Sequence, residues 1–178
     1  AWLDDIAQAS DCLRQRVPSD TPLWLWGLRG GTLLVAEAAR RALVPHPVAG
    51  LVLWQPVLDG ARHVDQFLRL KLTGDLLRGE AATGVAALRK RLDAGEAVEV
   101  AGYALNPDLI RGMSQATLDL AGLPDSSRLE CFELTSRPMM ADAAPAAVSP
   151  ALQARIERWR AAGLAASAHV VLGPAFWQ

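Results

Sequence analysis

Residues Pro22 to Leu34, Pro-Leu-Trp-Leu-Trp-Gly-Leu-Arg-Gly-Gly-Thr-Leu-Leu, constrain this chain more than any other stretch. An apolar run, Leu23 to Trp26, meets a Gly-x-x-x-Gly turn from Gly27 to Gly31, and the residues beyond it carry a helical pattern. A strand that becomes a helix over so short a distance brings two backbones close together, and only small residues fit between them. The frame matches Gly-x-Ser-x-Gly, the nucleophile elbow, whose central residue sits in a strained positive-φ turn at the top of a sheet. In this chain the central residue is Arg29. A guanidinium stays protonated and cannot accept an acyl group. The frame therefore predicts a hydrolase-like corner, and the missing hydroxyl predicts that serine chemistry does not run there. The Gly30 N–H occupies the place of an oxyanion donor. Two readings of Arg29 stand: it binds a carboxylate or phosphate at the start of the helix, where the dipole favours an anion, or it is a solvated or ion-paired residue on a decayed site.

The chain has 178 residues, enough for one domain with a sizeable core, and 51% of them are hydrophobic. The formal net charge is −1, with no basic stripe that would serve a nucleic acid and no polybasic block for an anionic membrane surface. No apolar run approaches the roughly 20 residues that cross a bilayer. Cys12 falls in a helical pattern and Cys131 in a strand pattern, and both are expected to be buried free thiols. No cysteine–histidine spacing resembles a metal site, so no metal is expected. Nothing reads as a signal peptide, and a reducing cytoplasm is the expected compartment. The chain opens on Ala1 rather than Met and closes on Trp177-Gln178 directly after an apolar strand, which leads to the expectation of a piece of a longer protein.

Residues 2–16 follow a helical pattern, with Leu3, Ile6, Leu13 and Val17 on the inner face. Leu23 to Trp26 is the first strand, Gly30 to Leu43 a mostly buried helix, and Val48 to Trp54 a continuous apolar strand of the kind covered on both faces. Strand, helix, strand makes a right-handed βαβ unit. Residues 59–127 break the alternation. Val64, Phe67, Leu68 and Leu72 mark one helix, Val85 to Leu92 another, Glu96 to Tyr103 a short strand, and Asn106-Pro107-Asp108 a capped helix start. Leu129 to Leu134 is the third core strand, Ala143 to Pro150 a loop, Ser149-Pro150 the start of a helix carrying Leu152, Ile156 and Trp159, and Ser167 to Leu172 the last strand. The expected architecture is α/β, with about four mostly parallel strands and flanking helices. Residues 1–58 and 128–178 form the core, and 59–127 a mainly helical cap or lid insertion.

Several strings resemble the exosortase A system-associated hydrolases, a branch of the α/β-hydrolase fold. They are Ala1-Trp2-Leu3-Asp4-Asp5-Ile6, Pro22 to Gly31, Val48 to Pro56, Gly95 to Tyr103, and Gly173-Pro174-Ala175-Phe176-Trp177-Gln178. Trp-Gly-Leu-Arg-Gly and Gly-Pro-x-Phe-Trp-Gln are the most specific of them. The resemblance implies a partial α/β-hydrolase fold in which the four strands are the last four of eight and the half with the oxyanion loop is absent. It also implies a setting near exopolysaccharide and protein-sorting functions. On that reading the Leu23 to Trp26 strand lacks its inner neighbour and becomes an edge.

The family's triad runs serine, acid, histidine in chain order. Arg29 stands in the serine slot and Phe176 in the histidine slot. Thr135, Ser136 and Arg137 follow the strand where the acid belongs, leaving Asp59 and Glu133 as weak acid candidates. His46, His63 and His169 read as structural or solvated. Two functions follow. One is an ester or thioester (acyl) hydrolase working with unorthodox residues. The other is a non-catalytic pseudo-hydrolase that binds an acyl or acidic small molecule, or a protein partner of the exopolysaccharide machinery. Its contacts would come from Gly27, Leu28, Arg29, Gly30, Gln55 and Phe176, in a pocket between Arg29 and the cap. Dinucleotide binding fails on spacing, because Gly27-Leu28-Arg29-Gly30-Gly31 is not Gly-x-Gly-x-x-Gly and no acid follows the second strand where the ribose needs one. No cofactor is expected.

Overall fold

A computed structural model describes residues 2–44, 48–79, 83–121, 123, 126–136 and 147–174. In chain order the elements are α1 (Trp2–Arg14), β1 (Leu23–Leu28), α2 (Gly31–Arg40), β2 (Val48–Trp54), α3 (Gly60–Leu77), α4 (Val85–Asp93), β3 (Val98–Val100), β4 (Tyr103–Leu105), α5 (Pro107–Gln115), β5 (Arg128–Thr135), α6 (Pro150–Ala161) and β6 (Ala165–Leu172). The chain is a mixed α/β protein that divides into two compact units, one of residues 1–58 with 118–178 and one of 59–117. The chain returns to the first unit at Leu118 rather than after residue 127. There the Leu118 N–H donates to the Leu58 carbonyl, and Arg155 reaches the Leu118 carbonyl.

The first unit is built on a four-stranded sheet in the order β1-β2-β5-β6, with every neighbouring pair parallel. The connections β1-α2-β2 and β5-α6-β6 step in the same direction along the sheet, so a common hand puts both helices on one face. That face holds the core: Leu23, Leu25, Leu51, Leu53, Leu129, Cys131 and Ala166 from the strands meet Leu33, Val35 and Ala36 of α2 and Leu152, Ile156 and Trp159 of α6. The register carries Trp24, Trp26, Val52, Trp54, Phe132 and His169 to the opposite face. Trp24 and Trp26 are exposed there, while Val52 and Trp54 are only half-buried. The expectation of a second strand covered on both faces is therefore corrected: among the described residues of this unit, helices cover one side of it. Gly50 lies beneath the Trp24 indole, and any Cβ at that position would strike the ring.

Two further expectations change in α1. Leu13 is exposed, Leu3 and Ile6 are half-buried, and only Ser10 is buried, because α1 packs against α2 rather than on the sheet. For the same reason Cys12 is exposed, contrary to the buried thiol expected, whereas Cys131 is buried in β5. Helix α2 stops at Arg40 rather than Leu43. Ala42 adopts φ 50° and the Leu43 N–H reaches back to the Ala38 carbonyl, a left-handed helix stop made without glycine.

The second unit packs α3, α4 and α5 around Val64, Leu68, Leu88, Leu92, Val98, Val100 and Ile110. Asn106 caps α5 by accepting from the Asp108 N–H, with Pro107 in the first turn, as its sequence predicts. Gly60 is required at the start of α3, since a Cβ there would collide with the Met113 and Ala116 carbonyls. The strand expected over Glu96 to Tyr103 is instead an antiparallel hairpin, β3 and β4, turning at Ala101-Gly102. No helix among the described residues is long and apolar enough to cross a membrane.

Candidate functional site

Strand β1 ends at Leu28, and Arg29 takes φ 49° before α2 begins. The corner is tight on one side only. A Cβ on Gly27 would lie 2.7 Å from Thr32 Cα and 2.9 Å from the Gly31 carbonyl oxygen, so glycine is obligatory. Gly31 has nothing within 4 Å of a hypothetical Cβ, and Gly30 holds an ordinary helical conformation at φ −56°. The packing requirement therefore falls on Gly27, and Gly31 leaves open space at the start of the helix.

Four hydrogen bonds fix the corner. The Arg29 N–H donates to the Trp54 carbonyl at 2.9 Å, carrying the β1–β2 ladder one residue beyond the strands. The Arg29 carbonyl accepts from the Thr32 N–H at 2.9 Å and from Thr32 Oγ1 at 2.6 Å. Thr32 Oγ1 in turn accepts from the Val57 N–H at 3.1 Å, tying α2 to the segment after β2. Thr32 is fully buried. Its hydroxyl is thus spent on structure as donor and acceptor, a role the sequence reading did not assign.

The neighbouring strand ends in the same way. Gln55 takes φ 47°, its N–H donates to the Phe132 carbonyl at 2.6 Å, and its Oε1 accepts from the Leu134 N–H at 2.8 Å. The side chain stands in for a backbone carbonyl and extends the β2–β5 ladder. Leu28 pairs with Trp54, so Arg29 and Gln55 are adjacent across the carboxyl ends of β1 and β2. Two non-glycine residues in the left-handed region side by side hold local strain of the kind that collects at functional sites. They do so at the end of a parallel sheet where ligands bind in open α/β proteins. Burial pulls the Arg29 guanidinium below its ordinary value, which leaves it a cation at any physiological pH.

The remaining candidates have structural partners. Glu133 accepts from the Ser149 N–H and from Ser149 Oγ, each at 2.6 Å, and Ser149 Oγ accepts from the Leu152 N–H, so Glu133 secures the start of α6. Asp59 caps α3 by accepting from the Arg62 N–H at 2.9 Å, and its backbone bridges to Thr117. His63 is buried with its ring edge-on to Phe67. His169 stacks on Phe132 with centroids 5.0 Å apart, and Phe132 stacks on Trp54 at 5.5 Å. His169 Nε2 lies 3.0 Å from Glu130 Oε2, an imidazole–carboxylate pair on the open face of the sheet. Phe176 and His46 lie outside the described residues.

Among the described residues no serine, threonine or cysteine hydrogen-bonds an imidazole. Burial, followed by the charges of Glu130 and Glu133, pushes the Cys131 thiol up to about 12, so no thiolate is present at neutral pH. No group of three or more His, Cys, Asp or Glu side chains among the described residues could hold a metal ion. What the corner offers chemically is a cationic side chain beside a hydrogen-bonded amide, both on positive-φ backbone, near the start of a helix. No protein-family model matches the chain, and no curated protein sequence matches it significantly.

Proposed function

We propose that this chain is a non-catalytic, hydrolase-like binding module whose ligand contact is Arg29 at the carboxyl ends of β1 and β2. The observation that carries the reading is the combination at one corner. Gly27 and Thr32 hold a tight strand-to-helix turn, and Arg29, with its backbone at φ 49°, occupies the slot that the elbow frame gives to a nucleophile. A cation there, next to helix N–H groups, suits an anionic group, either a carboxylate or the head of an acyl compound. The resemblance to exosortase-associated hydrolases supports an acyl or acidic small molecule, or a protein partner of the exopolysaccharide machinery, as the ligand class. The free cysteines Cys12 and Cys131 suit a cytoplasmic setting.

The alternative, acyl hydrolysis by unorthodox residues, makes the opposite prediction in one experiment. The full chain is purified and assayed against short- and long-chain acyl esters, and its melting temperature is followed with added short- and long-chain carboxylates. Binding predicts no turnover above background, carboxylate-induced stabilisation, and a loss of about 10- to 150-fold in affinity in Arg29→Ala, the size of a charge-assisted hydrogen bond of about 1.5–3 kcal/mol. Arg29→Ser should remain inactive, because among the described residues no serine, threonine or cysteine hydrogen-bonds an imidazole and Phe176 holds the histidine slot of the frame. Ester turnover that survives purification and disappears in Arg29→Ala would replace binding with catalysis.

A further inference from the structure

We draw no further inference here: the strongest candidate, the face of the four-stranded sheet opposite α2 and α6 with the exposed indoles of Trp24 and Trp26 beside the outer edge of β1, is an unpartnered apolar surface, and nothing in the structure shows what covers it.

Discussion

Gly27 and Gly31 look interchangeable in the sequence and are not interchangeable in the fold. The spacing of the two glycines shows where the turn lies, but not which of them carries the contact. That depends on how closely Thr32 and Val35 pass over β1, which is a property of the packed helix rather than of the motif. Gly27→Ala would force a methyl group against Thr32 Cα and the Gly31 carbonyl, both backbone atoms that cannot rotate away. Overpacking of this kind costs about 1–3 kcal/mol. Gly31→Ala should cost less than about 0.5 kcal/mol, since the site is open. Urea unfolding of the two variants checks the contrast, and equal losses would mean that the corner is not built as described. Thr32 was illegible for a related reason. A threonine early in an apolar helix carries no signal that its hydroxyl will join Arg29 to Val57, two partners brought together only by the β1-α2-β2 crossover. Arg29 was legible as a departure from a known frame. Gln55 was legible only as a position, since its role as a surrogate ladder carbonyl depends on the register of β5.

The elements that could be read from sequence are those with a continuous apolar run or a capping signal. The apolar runs of β1 and β2 and the capped start of α5 lie within a few residues of where the sequence puts them. What escaped were reversals made without the usual residues. The β3–β4 hairpin turns at Ala101 and Gly102, both at positive φ (49° and 82°), the pattern of a type I′ turn, but Ala-Gly lacks the Asn or Asp that would announce it. Ala101→Asn should therefore stabilise the chain by about 0.5–1 kcal/mol, because asparagine tolerates the left-handed region that alanine pays for with backbone strain. Chemical denaturation reads the gain, and a loss would show that Ala101 makes a contact that offsets its strain. At the other end of the scale, α2 finishes with a charge cluster. Arg40 and then Arg41 hold the Glu37 carboxyl below its ordinary value of 4.5. A carboxyl depressed in the folded state contributes stability above its unfolded value and loses it as the pH falls through the folded one. Glu37→Gln should accordingly cost less than about 1 kcal/mol at neutral pH, as both arginines are exposed and Glu37 is only half-buried. The difference from the parent should shrink as the pH falls below the ordinary carboxyl range and Glu37 takes up its proton. A gap that persists in acid would assign the effect to packing.

Across the molecule, the α/β class followed from alternating apolar periods, whereas the coverage of the sheet did not. A continuous apolar strand such as Val48 to Trp54 predicts helices on both faces. The described first unit supplies α2 and α6 on one face and leaves aromatic side chains on the other. The sequence places these residues in strands, but it cannot say which layers are present to bury them. Two features of this surface favour self-association. Strand β1 pairs only with β2 among the described residues, and Leu-Trp-Leu-Trp-Gly-Leu contains no charge or proline that would discourage pairing along its free side. Its Trp26 is 61% exposed, whereas Trp24, at 39%, lies over Gly50 and has a packing role. Trp26→Lys therefore separates the two contributions. It places a charge on the edge strand without opening a cavity, so it should leave the unfolding free energy within about 0.5 kcal/mol of the parent while lowering concentration-dependent scattering. Trp24→Lys should lower scattering too, but at a cost in stability of about 1–3 kcal/mol, because the indole packed on Gly50 is lost. Sedimentation velocity over a concentration series, paired with urea unfolding, distinguishes them. If Trp26→Lys associates as strongly as the parent, the contact lies elsewhere, and the exposed helical residues Leu70 and Leu77 of α3 become the next surface to test.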